Sequence, residues 1–208
     1  VGGEIDILKA FISAGFPVIA EKGFEGPNFD GWMGHYQVVS GYDDAKGHFS
    51  VQDSYKGPDQ KIAYTDFTSQ WRAFNYTYLV IYPLESRQRV LDILGLQVYD
   101  NYNYHTAEQK AAAEIPVLSG RDLYFALFNR GASLVALQDY ASAVQSFDAA
   151  FANYAAIPEE ERPWRMLWYQ TGPYFAYYYT ARYQDVIDLA TQTLDASSEP
   201  NLEESFYW

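Results

Sequence analysis

Of the three histidines in this sequence, His35 is the one placed where an imidazole can do chemistry. It opens the stretch His35-Tyr36-Gln37-Val38-Val39-Ser40-Gly41-Tyr42 directly after Gly34. The turn-forming run Asp43-Asp44-Ala45-Lys46-Gly47 follows, and His48-Phe49-Ser50-Val51-Gln52-Asp53 returns. A hairpin turning near Ala45 brings the far ends of its strands together, which predicts His35 and Asp53 within about one residue pair of each other. An imidazole held by a carboxylate is the base and orienter half of a triad. The carboxylate fixes the ring tautomer and stabilises the imidazolium formed when a Ser or Cys gives up its proton. The nucleophile is missing: the chain has no cysteine, and Ser40, Ser50 and Ser54 lie in neither a Gly-x-Ser-x-Gly elbow nor a Ser-x-x-Lys motif.

Other chemistry-bearing residues read as structural. Asp43 and Asp44 with Gly47 are hairpin-turn chemistry; paired acids in a turn also suit calcium, but the spacing of a calcium loop is absent. His48 is expected at the surface and His105 in a linker, so the histidines have no metal-ligand spacing, and neither a metal nor a cofactor is expected. The run Tyr174-Phe175-Ala176-Tyr177-Tyr178-Tyr179 suggests a stacking platform, but aromatics at successive helix positions mainly fill a core. Glu159 to Pro163 reads as a solvated loop, and Asn75-Tyr76-Thr77 is a glycosylation sequon inside a predicted strand, a poor place for a glycan.

The surrounding elements must hold His35 and Asp53 in place, and the composition provides for a folded core. The 208 residues are 49% apolar and 18% aromatic, so a packed interior is expected. A net charge of −13 with no basic cluster argues against nucleic acid or an anionic membrane surface as a partner. No apolar run approaches the ~20 residues of a membrane span, and no leader pattern precedes Glu4. The chain opens almost directly on a helix and closes on what reads as the first turns of another, Glu203 to Trp208, so it is expected to be an internal fragment.

The first half reads as a helix, Glu4 to Ala14, and a small antiparallel sheet of about four strands. A short strand Val18-Ile19-Ala20 is followed by a loop from Gly23 to Gly34 and the hairpin above. Then come a short segment at 62–64, a helical turn or two over 66–74, and a strand at 76–82 ending at Pro83. Beyond Pro83 strand patterns vanish. Residues 84–105 are expected to be a linker with a short helix, Glu85 to Leu94, and 106–208 a helical array beginning with Thr106 to Leu118. Asp122 to Leu137 and Tyr140 to Tyr154 form one predicted helical hairpin, Trp164 to Thr180 and Gln184 to Leu194 another, with Tyr140 and Tyr183 in register at a period of 43 residues.

The first of these hairpins resembles a tetratricopeptide repeat: Gly131, Leu134, Tyr140, Ala143, Phe147 and Ala150 fall at that repeat's packing positions. The second departs from the pattern, since Gly172 lies two residues too far from Tyr183. The resemblance implies stacked repeats that hold a peptide or protein segment on a concave face.

Three stretches of the first half resemble the C-terminal half of C39-like, papain-fold cysteine peptidases. They are Ala14-Gly15-Phe16-Pro17-Val18-Ile19, Gly34-His35 through Gly41-Tyr42-Asp43-Asp44, and Val51-Gln52-Asp53-Ser54-Tyr55, within residues 4 to 83. The resemblance implies His35 as general base and Asp53 as its orienter, with the family's cysteine and oxyanion Gln on an earlier segment that these residues do not include. Gln52-Asp53-Ser54 replaces the usual Asn-Asp-Pro-like ending.

The expected fold class is α+β: the antiparallel-sheet half of a papain-like peptidase domain (1–83), the linker (84–105), and an all-α tetratricopeptide-like part (106–208). Two functions follow: a cysteine-peptidase fragment inactive by itself, or a non-catalytic binding protein on a pseudo-peptidase scaffold. A surface or envelope location fits such a fusion. A half-domain is expected to self-associate or to be unstable unless the helices cover its exposed sheet face, and its oligomeric state is left open.

Overall fold

Helix α1 (Ile5–Ser13) buries Leu8 and Phe11 and ends at Gly15, whose φ of 86° lets Gly15 N–H reach Ile12 O and Phe16 N–H reach Phe11 O. The computed structural model describes residues 1–26, 31–196, 205, 207 and 208. The strands β1 (Val18–Phe24), β2 (Met33–Asp43), β3 (His48–Asp53) and β4 (Gly57–Ala63) follow, then helix α2 (Tyr64–Arg72) and strand β5 (Tyr78–Val80). They form one antiparallel sheet in the order β4-β3-β2-β1-β5.

Alternation sorts the strand side chains between two faces. Val18 pairs with Val39 and Val39 with Val51, which stacks three buried valines under α1 and α2. Phe49, Phe67, Trp71, Tyr76 and Val90 complete this core. The opposite face stays open, with Tyr36 54% and Leu79 52% exposed. Elements of the first 94 residues pack on the inner face.

The structure also revises several element boundaries. Five strands replace the expected four. Strand β1 runs on to Phe24; of the loop expected after it, residues 27–30 lie outside the described residues. Strand β4 begins at Gly57; Pro58 masks it in the sequence, but β4 is an edge strand where a missing N–H is tolerated. Strand β5 has only three residues because Asn75 and Tyr76, at φ 50° and 53°, end α2 in a left-handed turn. The sequon therefore lies in a turn, not a strand; Asn75 is buried and its Nδ2 donates to Ser133 Oγ at 2.9 Å.

Residues 84–105 are more ordered than a linker. A 3-10 turn at Leu84–Ser86 leads into helix α3 (Arg87–Leu94), a second spans Gly95–Val98, and helix α4 (Asp100–Glu114) starts six residues before the predicted one. His105 therefore sits exposed on α4. Helices α5 (Gly120–Ala136) and α6 (Tyr140–Tyr154) follow. The single helix expected over 164–180 is two, α7 (Met166–Tyr169) and α8 (Gly172–Tyr179), broken at Gln170-Thr171 ahead of Pro173. Proline has no N–H with which to continue a helix from the preceding turn, and it is at home in a first turn. Helix α9 (Tyr183–Asp195) follows. Of the helix expected from Glu203, residues 203, 204 and 206 lie outside the described residues, and Ser205 and Tyr207 are helical.

The 43-residue period has a backbone counterpart. Helix α5 ends with Asp139 N–H on Leu134 O and Gln138 at φ 63°; α8 ends with Arg182 N–H on Tyr177 O and Ala181 at φ 60°. In the first hairpin a Cβ on Gly131 would lie 2.6 Å from the Phe147 ring, so glycine is what lets α5 and α6 approach.

The two halves meet through buried polar contacts. Arg72 reaches Glu114 at 3.2 Å and Asp122 at 3.0 Å, and Asn129 Nδ2 donates to Arg72 O at 2.7 Å. Trp32 lies 5.6 Å from both the Phe74 ring, stacked, and the Phe125 ring of α5. Among the described residues no helix is long and apolar enough to cross a membrane.

Candidate functional site

Strand β2 carries His35 and strand β3 ends on Asp53, but the two are not direct cross-strand partners. Asp53 pairs with Gln37, so His35 is its diagonal neighbour on the same face, still within reach of a long side chain. His35 Nε2 lies 3.1 Å from Asp53 Oδ2, with the two side chains 15% and 0% exposed. The approach is oblique, at contact distance without an in-line hydrogen bond. Geometry of this kind commonly tightens only when a reacting partner arrives. The contact expected from the hairpin arithmetic is present, offset by one same-face step.

Gly34 sets the position of His35. A Cβ there would come within 2.8 Å of the Phe74 ring and 3.3 Å of Tyr169, so only glycine lets this end of β2 lie beneath those rings. On its other side the His35 ring packs against Phe24, centroids 4.8 Å apart, and Phe24 meets the Tyr55 ring edge-on.

Asp53 is held by four groups. Oδ1 accepts from Tyr55 N–H and Lys56 N–H at 2.8 Å each, and Oδ2 accepts from the Gln37 amide and faces His35. Burial opposes its ionisation, but the Lys56 N–H, the Gln37 amide, the Tyr55 N–H and the nearby imidazole outweigh that and push its pKa down to about 2. Asp53 is therefore a carboxylate throughout the neutral range. The carboxylate that faces His35 thus also caps the β3–β4 turn, through Tyr55 N–H and Lys56 N–H.

The structure adds residues that sequence reasoning missed. Lys22 is fully buried, pairs across β1–β2 with His35, and donates to Gln70 Oε1 at 2.7 Å. Burial lowers its pKa to about 8, Lys56 adds repulsion, and Asp53 pulls the other way. Alternation from Val18 would have placed Lys22 inward had β1 been read past Ala20, and Gln37 inward as the second residue after His35. Beside this cluster a cavity of about 310 Å³ is lined by Phe24 and Gln70 from the sheet half and by Arg121, Asp122 and Phe125 of α5.

The other sequence candidates fall elsewhere. Asp43 is engaged by Lys46 at 3.1 Å, and Asp44 by Lys9 at 2.6 Å and by the Tyr64 hydroxyl, so both serve the turn. His48 is half-buried at the start of β3, away from His35. Among the described residues no group of three or more His, Cys, Asp or Glu is placed to hold a metal ion. Tyr174 and Tyr177 fill the helical core, whereas Tyr178 and Tyr179 are about half exposed. Ser40 and Ser50 sit on the open sheet face, where Ser40 accepts from Gln52 and Ser50 from Lys61.

No curated protein and no solved structure matches this chain. Residues 3–79 match the model of the Peptidase_C39 like family, a span that holds α1, α2, the five strands up to Leu79, and both His35 and Asp53, while α3 to α9 lie outside it.

Proposed function

We propose that residues 3–79 form the base-bearing half of a cysteine-peptidase-like hydrolase site. His35 is the general base, Asp53 the residue that orients it, and the thiol comes from polypeptide outside these 208 residues. The observation that carries this reading is the His35 Nε2–Asp53 Oδ2 contact inside the span that matches a peptidase family. With Nε2 facing the carboxylate, Nδ1 is the nitrogen left to accept a thiol proton. The thiolate attacks a peptide carbonyl carbon, the imidazolium is stabilised by Asp53 and protonates the leaving amine, and the resulting thioester is cleaved by water with His35 again as base. These 208 residues alone are expected to be inactive, since they contain no cysteine.

The test is thiol labelling of the product of the whole coding region that contains this chain. A cysteine whose alkylation rate at pH 7 falls about 10²-fold or more in His35→Ala supports the reading, that being the scale of a positioned base. Labelling indifferent to His35, or no cysteine to label, overturns it.

One observation favours a second, non-catalytic reading. The helical hairpins resemble tetratricopeptide repeats, and Phe175, Tyr178, Tyr179, Tyr183 and Trp208 line an open cavity of about 640 Å³. On that reading the sheet half is a scaffold and the helices hold a peptide or protein segment. Failure of the labelling test moves the search for function to this surface.

A further inference from the structure

Gln37 is a polar side chain on the inner sheet face that the proposed reaction leaves unused. It is 1% exposed and lies two residues beyond His35, facing the same way, with Ala20 on one side and Asp53 on the other. Its Nε2 donates to Asp53 Oδ2, the oxygen that also faces His35. The other carboxylate oxygen is pinned by the Tyr55 and Lys56 N–H groups. The plane of the carboxylate is thus fixed from both ends, and Oδ2 is held between an amide and an imidazole.

An ionised carboxylate only accepts hydrogen bonds, so the nitrogen end of the amide must face it. That orientation leaves Gln37 Oε1 buried with no hydrogen-bond partner among the described residues. An orphaned buried carbonyl is unfavourable, and an unbranched apolar side chain would fill the same space without it. What glutamine adds here is its donor to Asp53.

We infer that Gln37 is a positioning residue: its amide holds Asp53 so that Oδ2 lies 3.1 Å from Nε2 of His35, where the negative charge favours the ring proton on Nε2 and leaves Nδ1 free to accept one. The use of Nδ1 rests on the proposed reaction; the arrangement of Gln37, Asp53 and His35 does not. Lys22, opposite His35, and Lys56, beside Asp53, are the cations that act on the same cluster.

The test uses this 208-residue chain labelled with ¹³C and ¹⁵N, comparing wild type with Gln37→Met. The Asp53 carboxyl resonance should titrate near 2 in wild type and about one pH unit higher in the variant, which lacks one of its hydrogen bonds. The ring nitrogens of His35 should move from a pattern dominated by protonated Nε2 toward a mixture of tautomers. A folded Gln37→Met with both signals unchanged overturns the inference. If that variant does not fold, Gln37→Glu decides. The introduced carboxyl restores the donor when protonated and repels Asp53 when ionised, so the His35 tautomer pattern should switch as that carboxyl titrates; a pattern that ignores it overturns the inference. No thiol is involved, so failure here is distinct from failure of His35-dependent labelling.

Discussion

Lys22 lies directly across the β1–β2 pairing from His35, fully buried, with a side-chain amide rather than a carboxylate as its hydrogen-bond partner. Burying an ammonium without a paired anion is costly, and its pKa of about 8 in place of 10.5 registers the cost. The unfolded chain holds this proton more tightly than the native one, so the penalty is full below pH 8 and fades as pH rises toward 10.5. Lys22→Met should therefore stabilise the protein at pH 7 by up to about 3 kcal/mol, less the lost Gln70 bond, with the advantage shrinking at about pH 10. Urea midpoints of both proteins at the two pH values measure it, and a gap that does not narrow on the alkaline side contradicts it.

Asp53 has the opposite linkage. Its folded pKa of about 2 lies below the ordinary 3.8, so its stabilisation is complete above about pH 4 and is lost as pH falls through 2. About 2 kcal/mol is at stake over that window. Asp53→Asn should lower stability at neutral pH and flatten the acid side of the stability curve. An unchanged slope across the acid window would show that the carboxylate is not held as described.

Close approaches at glycine give a third prediction. Gly131→Ala pushes a methyl into the Phe147 ring and should cost about 1–3 kcal/mol, whereas adding Phe147→Leu should recover part of the loss. A thermal double-mutant cycle reads the coupling; strict additivity would argue against the contact. Gly34→Ala should be similarly destabilising through Phe74, and it should also displace the His35 ring resonances.

The two helix-ending turns predict gains instead. Gln138 and Ala181 hold left-handed backbone that glycine adopts without strain, so Gln138→Gly and Ala181→Gly should each stabilise by about 0.5–1 kcal/mol. Melting points that fall would count against that backbone conformation.

The His35–Asp53 contact was legible because a hairpin with a recognisable turn fixes which strand ends meet; the crowding at Gly34 was not, since it comes from the Phe74 and Tyr169 rings. Lys22 and Gln37 were less legible, since their inward direction depends on where β1 ends and on strand parity. Two breaks in the element pattern were also hard to read: the Asn75-Tyr76 turn ends in a residue with ordinary strand propensity, and α7 and α8 share one aromatic run whose interruption depends on Pro173. Tertiary contacts decided both, with Asn75 tied to Ser133 and Gly172 close under Phe147. The 43-residue echo was read from Tyr140 and Tyr183, and the matching left-handed turns give it a geometric basis.

The margins of the sheet bear on how this protein behaves when concentrated. Strand β4 presents Pro58, which has no N–H, beside Asp59 at φ 56° and the charged Lys61, while the other margin, β5, is three residues long. Neither rim offers an uninterrupted row of donors and acceptors to an incoming strand. A sheet with one wet face bearing Tyr36 and Leu79 is thereby guarded against growing rim to rim into fibrils, even where the wet face itself is sticky.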